Sequence, residues 1–258
     1  MNGIIELGIW QVALAYLFVV IMLAVVRLRG IKREKQIILS SLRMTLQLVL
    51  TGYLLVYIFD NPSPYVTIGV IFVMEAFAVF TVFRKFGKRL SRPFKRVIAF
   101  AMSIGTLSCL AFFLFVVVRI SPWYDPQYFI PIAGMLVGNA MTAISLGVKS
   151  LLDGMTTQRH LVEEALMLGA APKMATKSII NSTFDSAIMP TINSMVGMGI
   201  VFLPGMMTGQ ILSGTLPTTA IAYQIAIMLG ILGAVGITVI IMLQMGCQTF
   251  FNEQSQLI

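Results

Sequence analysis

The sequence predicts an all-α bundle of membrane-spanning helices with about seven crossings, the N-terminus outside and the C-terminus in the cytoplasm. Three observations support this prediction. Of 258 residues, 58% are hydrophobic and 11% charged, whereas a soluble domain has about 25% charged residues. Several stretches stay apolar over the ~20 residues that a helix needs to cross a bilayer. Basic residues are concentrated in alternate connections between those stretches.

The predicted crossings are the stretches with enough length and apolar character to span the hydrocarbon core. In chain order they cover residues 7–26, 37–59, 65–83, 97–118, 128–148, 188–212 and 218–245. We interpret residues 1–258 as one transmembrane domain that lies in the cell membrane as a multi-pass protein. Its surroundings are therefore the lipid bilayer.

The net charge of +8 comes from basic residues at particular places in the chain. They lie in or beside the first connection (Arg27, Arg29, Lys32, Arg33, Lys35), the third (Arg84, Lys85, Lys88, Arg89, Arg92, Lys95, Arg96) and the fifth (Lys149, Arg159, Lys173, Lys177). Lys and Arg accumulate in cytoplasmic loops, so this pattern predicts the orientation. We expect no nucleic-acid partner.

The third predicted crossing contains a glutamate at its midpoint, Glu75, in the run IFVMEAFAV. An ionisable group at membrane depth is costly and calls for a reason. In one interpretation Glu75 belongs to a cation or proton pathway and could be a metal ligand. In the other it is protonated and hydrogen-bonded between helices. The sequence leaves both open.

The fifth predicted connection, residues 150–187, is far longer than a bilayer turn needs. Within it, Leu161, Ala165 and Leu168 recur at three- and four-residue spacing, which predicts an amphipathic helix. An exposed amphipathic helix between membrane crossings is typical of a docking element. We expect a soluble partner to bind there.

The sixth predicted crossing contains Pro204 and Gly205, followed by Met206 and Met207. Proline removes a backbone donor and glycine adds flexibility, so the helix should kink or break here. Broken helices in transporters line cavities, and thioethers are soft metal ligands. Methionine also fills gaps in ordinary packing.

Amide side chains in the predicted crossings are further candidates for a translocation pathway. They are Gln47 in the second, Asn139 in the fifth, Asn193 and Gln210 in the sixth, and Gln224 in the seventh. Buried amides either hydrogen-bond across helices or line an aqueous path, and the sequence does not decide between these roles.

Enzyme classes find little support in the sequence. No stretch fits the phosphate-binding pattern G-x-x-x-x-G-K-[ST], so an ATP-driven function would need a second chain to hydrolyse the nucleotide. The single histidine, His160, lies in the fifth connection, away from membrane depth. We therefore expect no catalytic residues and no cofactor in this chain.

Residues 163–169, EEALMLG, resemble the E-A-A-x-x-x-G signature of ABC-transporter permeases, with Glu164 at the first alanine position. In that family the signature is a cytoplasmic coupling helix seated in a cleft of the ATP-binding subunit. The resemblance implies that Glu163, Glu164, Ala165, Leu168 and Gly169 contact such a subunit, which would hold ATP and Mg²⁺.

Residues 201–212, VFLPGMMTGQIL, together with Pro217 and the pair Tyr223-Gln224, resemble the FetB (YbbM) family of ABC permeases. Gly138 to Met141 resemble the fifth crossing of that family. The resemblance implies a permease that forms a homodimer, pairs with a separate ATPase and exports a metal ion, iron in bacterial members. Some plant members are linked to aluminium tolerance or nucleotide-sugar transport.

Other functions stay open at this point. The substrate of an ABC permease could be a nucleotide sugar instead of a metal. The chain could also be a carrier or channel that uses Glu75 as a proton or ion site without an ATPase. A third possibility is a scaffold or receptor that binds a soluble partner through residues 150–187.

Overall fold

A computed structural model describes residues 7–252 and 254–257 of the chain. In that part the regular structure is helical, without β-strands. The helices are α1 Ile9–Ala15, α2 Leu17–Leu28, α3 Glu34–Asp60, α4 Pro64–Phe86, α5 Arg92–Phe112, α6 Pro126–Thr157, α7 Arg159–Met167, α8 Pro172–Ala175, α9 Lys177–Gly197, α10 Gly205–Leu212 and α11 Pro217–Gln248. A π-helical turn, Phe113–Val118, continues α5. The predicted all-α class is confirmed.

Six helical segments of the described chain are long and apolar enough to cross a membrane. They are Ile9–Leu28, Glu34–Asp60, Pro64–Phe86, Arg92–Val118, Pro126–Thr157 and Pro217–Gln248. Each overlaps one of the predicted crossings. The chain is thus a multi-pass membrane protein, while the number of crossings and their orientation stay predictions.

The predicted crossing over residues 188–212 is not a single helix in the structure. Helix α9 begins at Lys177, ends at Gly197, and is followed by an irregular segment before α10 starts at Gly205. Gly199 has a φ of +84°, a conformation that side chains disfavour, and Pro204 has no N–H to continue a helix. The predicted break is therefore present, and it divides the segment.

The predicted loop 150–187 is also largely helical. Its first residues complete α6 and its last residues begin α9, which leaves α7 and α8 as the connection. Polar residues such as Asn181 and Asp185 made the start of α9 look like a loop. They lie exposed on a helix that packs its other side against α6 and α11.

The described residues group into two compact units. The first consists of the chain through Pro62 together with Leu212–Gly214, and the second of the remaining chain. In the first unit α2 packs against α3, and the Tyr16 hydroxyl hydrogen-bonds with Thr45. Among its residues from Leu7 onward, the buried hydrophobic side chains are Val26 and Ile58.

The second unit has a continuous core in which α11 packs against α5, α6 and α9, and α6 also packs against α4. Its large, fully buried side chains include Phe94, Ile98, Leu136, Ile144 and Met242. Two helices of this unit, α5 and α6, begin with a side-chain cap: Ser91 accepts a hydrogen bond from the Phe94 N–H at 3.3 Å and Asp125 accepts one from the Gln127 N–H at 3.0 Å.

An ion pair joins the α4–α5 connection to the last turns of α6 in the second unit. Arg89, in the turn after α4, lies 3.7 Å from Asp153 near the end of α6. The basic α4–α5 connection and the α7–α8 segment are therefore at the same end of this helical unit. The prediction that both lie on the cytoplasmic side requires this arrangement.

A close approach of α5 to α11 at Gly105 allows a test of this packing. A Cβ at Gly105 would meet Thr238, with its backbone Cα at 2.9 Å, and backbone atoms cannot yield without moving a helix. We expect Gly105→Ala to lower the thermal unfolding temperature in detergent, because overpacking costs about 1–3 kcal/mol. Fluorescence-detected size exclusion after heating measures this.

Gly233→Ala is the matched control at the same interface. Its added Cβ would lie 3.7 Å from the Cys109 Sγ, an ordinary contact, so its unfolding temperature should stay at or above that of the parent. Equal behaviour of the two variants would contradict the packing.

Candidate functional site

The predicted amphipathic helix is α7, which runs directly on from α6. The Val162 N–H donates to the carbonyl of Gln158 at 3.1 Å, and the Gln158 N–H donates to that of Gly154 at 2.9 Å, so little flexible chain separates the two helices. Val162 is buried in the core and Leu166 packs against it. A force applied to α7 would thus reach α6 directly.

Gly169 ends α7 in a left-handed conformation, with a φ of +88°. The Ala170 N–H donates to the carbonyl of Ala165 and the Gly169 N–H to that of Leu166, both at 3.0 Å. This pair of hydrogen bonds is a Schellman motif, in which the left-handed position favours glycine. The end of α7 therefore favours glycine at position 169, which is the glycine of the E-A-A-x-x-x-G signature.

The outer face of α7 exposes apolar side chains. Leu161 is 52% exposed, Met167 85% and Leu168 89%, and Glu164 is exposed beside them. Glu163 instead pairs with Arg159, with Nε and Oε1 2.8 Å apart. We call Leu161, Glu164, Met167 and Leu168 the α7 face.

A second exposed surface combines polar side chains of α6 and α9. The Ser150 hydroxyl donates to the Ser186 hydroxyl at 3.4 Å, at the edge of the contact between the two helices. Asn139 lies about three turns from Ser150, and Asn193 about two turns from Ser186, so both amides lie on this side of the contact. Asn139, Ser186 and Asn193 are exposed, and Ser150 is half-buried.

Two further features make this surface polar. Thr142 is exposed and lies one helical turn from Asn139. Pro190, inside α9, has no N–H, so the carbonyl of Ser186 lacks its usual helical donor. We call Asn139, Thr142, Ser150, Ser186 and Asn193 the polar seam.

The residues of the broken segment divide between the core and the surface. Gly205 is exposed, Pro204 and Gln210 are half-buried, Met206 packs against the core and Met207 is buried. Gln224 of α11 is buried, and its Nε2 donates to the Sδ of Met198 at 3.7 Å. Among described residues the Gln224 Oε1 has no hydrogen-bond partner.

Glu75 lies in α4 facing α5 and is 6% exposed. The Thr106 hydroxyl of α5 donates to its Oε1, so Glu75 is hydrogen-bonded between helices, as one of the two interpretations of the sequence required, while its place in a cation or proton pathway stays a prediction. Within the described chain its Oε2 has no hydrogen-bond partner. This carboxyl forms part of the wall of a cavity between α4 and α5 whose lining contains no residue of the polar seam.

The described part of the chain contains no group of three or more His, Cys, Asp or Glu side chains placed to hold a metal ion. Metal binding at Glu75 therefore stays a prediction.

Sequence reasoning identified Asn139 and Asn193 singly but missed the seam that joins them. Their partners Thr142, Ser150 and Ser186 are common residues in membrane helices, and each alone carries little signal. Helical spacing could have identified Thr142, which follows Asn139 on the same face. The pairing of Ser150 with Ser186 depends on the tertiary fold.

Comparison with known proteins gives one family. The model of UPF0014, described as an uncharacterised protein family, matches residues 9–251. No solved structure matches the chain.

Three relatives illustrate the breadth of the similarity. The chain is 32% identical to the probable iron export permease protein FetB of Escherichia coli, over 96% of this chain and 94% of that protein. It is 34% identical to protein ALUMINUM SENSITIVE 3 of Arabidopsis thaliana, over 93% and 86% respectively. It is 29% identical to the UPF0014 membrane protein YjkA of Bacillus subtilis, over 96% and 97%. The resemblance to FetB is confirmed.

If the polar seam is hydrated in the membrane, cysteines placed in it should react with a charged thiol reagent. In a background with Cys109 and Cys247 replaced by alanine, we expect Thr142→Cys and Asn193→Cys to be labelled by a membrane-impermeant methanethiosulfonate. Thiolates form where water is available, which is the physical reason. Mass shift of the purified protein measures labelling.

Ile237→Cys is the control, because Ile237 is an exposed apolar residue in the middle of α11. It should remain unlabelled in intact membranes and react after unfolding. Labelling of Ile237→Cys as fast as Thr142→Cys would remove the evidence for a hydrated seam.

Proposed function

The chain belongs to the UPF0014 family of membrane proteins, and from that premise we propose that it is the permease subunit of an ABC transporter. In this proposal two copies form the membrane pathway, a separate subunit hydrolyses ATP, and the cargo is a metal ion that is exported. The observation that carries the proposal is the α7 face, an exposed apolar surface on a short helix joined rigidly to the bundle.

The α7 face has the features of a protein contact. Three large apolar side chains are exposed together with one carboxylate, on a helix whose opposite side is buried. Contiguous exposed apolar surface on a folded protein marks an interaction site. The position of the face at the end of α6, on the same end as the basic α4–α5 connection, suits a soluble subunit on the cytoplasmic side.

Coupling requires that the ATP-binding subunit contact α7 differently in its open and closed states, because a partner that binds both states equally shifts nothing. The nearly continuous backbone hydrogen bonds from α6 into α7 support transmission of such a difference. The buried Val162 and Leu166 prevent α7 from moving independently of the core. Displacement of α7 would therefore tilt α6.

The polar seam supports a pathway between two copies of the chain. Asn139, Thr142 and Asn193 of the seam lie within predicted crossings, and amide and hydroxyl groups exposed at membrane depth are costly against lipid. Facing the seams of two copies toward each other would remove them from lipid and create one polar channel bounded by α6 and α9. Tilting α6 would change the width of that channel.

A metal cargo is supported by the ligand chemistry and by one relative. The seam offers amide and hydroxyl oxygens, and Met198 and Met206 lie beside the broken segment; such oxygens and thioethers bind metals with different preferences. One similar protein carries the name probable iron export permease. We therefore propose Fe²⁺ as cargo, passing along the seam.

The coupling proposal is tested by changing the residue that ends α7. Gly169→Val places a β-branched residue in a left-handed conformation, which costs about 1–2 kcal/mol, and should distort the α7 face. In liposomes containing the chain and its co-purified P-loop ATPase, we expect Gly169→Val to lose most of the Fe²⁺-stimulated ATP hydrolysis. Released phosphate measures this.

Gly169→Asn is the matched control, because asparagine tolerates the left-handed position, and nothing lies within 4 Å of an added Cβ. It should retain stimulation. Intact stimulation and transport in Gly169→Val would contradict the coupling role. If a nucleotide sugar and not Fe²⁺ stimulated ATP hydrolysis by the parent, the coupling role of α7 would stand and the proposal of Fe²⁺ as cargo would be contradicted.

A further inference from the structure

A cavity of about 860 Å³ lies between α4 and α5 in the second unit. This volume is within the range of about 300–1,000 Å³ found for small-molecule sites. Aliphatic side chains such as Ile71 and Leu107 form much of the wall. The aromatic side chains in the lining are Phe72, Phe80, Phe83, Phe115, Trp123 and Phe129.

Glu75 is the one acidic residue of this lining, and only 6% of it is exposed. Its Oε1 is occupied by the Thr106 hydroxyl. Its Oε2 has no hydrogen-bond partner among the described residues. A buried polar oxygen left without a partner is destabilising, so a ligand that contacts it would remove that cost.

The composition of the wall decides which ligand fits. Apart from Glu75, the lining side chains with polar atoms are Ser103 and Trp123, and the indole N–H of Trp123 is a donor. One carboxylate and one hydroxyl are too few ligands for a dehydrated metal ion. An anion would be repelled by Glu75 and find no basic side chain in the lining.

An organic cation fits both parts of the wall. Its charge would meet the Glu75 carboxylate, and its apolar body would pack against the aromatic rings, whose faces attract cations. Phe72 is 74% exposed and Phe115 57% exposed, so the cavity opens on the outer surface of the α4–α5 pair. An amphiphile could enter there without crossing the packed core.

We propose that the α4–α5 cavity is a binding site for a lipophilic organic cation, with Glu75 as the group that recognises the charge and the surrounding aromatic side chains as the groups that hold the apolar body. The site is separate from the polar seam. It does not depend on the proposed coupling to an ATPase, because binding needs this chain alone.

Binding of rhodamine 6G, a fluorescent lipophilic cation, to the purified full chain tests the proposal without any ATPase or nucleotide. Fluorescence anisotropy in nanodiscs gives the Kd. We expect Glu75→Gln to weaken binding about tenfold or more, because the neutral amide removes the charged hydrogen-bond acceptor that attracts the cation. Asp185→Asn removes an exposed carboxylate of α9 and should leave the Kd unchanged.

The neutral dye Nile red separates charge recognition from simple partition into an apolar groove. It should bind the parent and Glu75→Gln with the same Kd. Rhodamine 6G binding that is equally tight in Glu75→Gln, or no tighter to the parent than Nile red, would overturn the proposal and leave an acyl chain of lipid as the occupant.

Leu107→Trp keeps the test decisive if Glu75→Gln is unstable. Leu107 lines the cavity and is 42% exposed, so a larger ring there fills the cavity with Glu75 still present. We expect it to weaken rhodamine 6G binding at least as much as Glu75→Gln. Unchanged binding would place the dye elsewhere and contradict the site.

Discussion

The structure depends on one constraint: the hydrocarbon core of a bilayer contains no water, so backbone and side-chain polar groups must find their hydrogen-bond partners within the protein. Long helices satisfy it over most of the second unit, where α5, α6 and α11 run without interruption by an irregular segment and pack through buried apolar side chains. The places that depart from this rule are few. Among the described residues they include the break between α9 and α10, the polar seam, the Glu75 carboxyl and the Gln224 amide. The proposals above rest on the first three of these.

The polar seam and the α7 face are linked by α6. This helix carries Asn139 and Thr142 in the seam, and its hydrogen bonding continues almost directly into α7. A bundle whose core is closely packed transmits displacement and does not absorb it locally. In the proposed permease, a displacement of α7 by the ATP-binding subunit would therefore move α6 and alter the polar seam along its length.

The sequence predicted the helical class, the position of six crossing segments, the amphipathic helix and the break, because each depends on local composition. It did not predict the start of α9 at Lys177, since exposed polar residues on one side of that helix hid its apolar contacts with α6 and α11. It placed Glu75 in a crossing but could not find Thr106, which comes from a different helix. Nor could it find the seam, which exists because Ser150 meets Ser186. Pairings between helices are set by packing and leave little trace in a single sequence.

The most direct test of the central claim is photo-crosslinking from the α7 face in native membranes. A photoreactive amino acid at Leu168, which is 89% exposed, should capture a P-loop ATP-binding subunit that mass spectrometry identifies by its peptides. The control is the same photoreactive amino acid at Leu216, which is 71% exposed and precedes the first residue of α11. The other end of α11 contacts Thr176 through Cys247, so Leu216 is remote from the α7–α8 segment and should not capture the subunit. Crosslinks from Leu168 that never contain an ATP-binding subunit, or that contain it no more often than those from Leu216, would contradict the account.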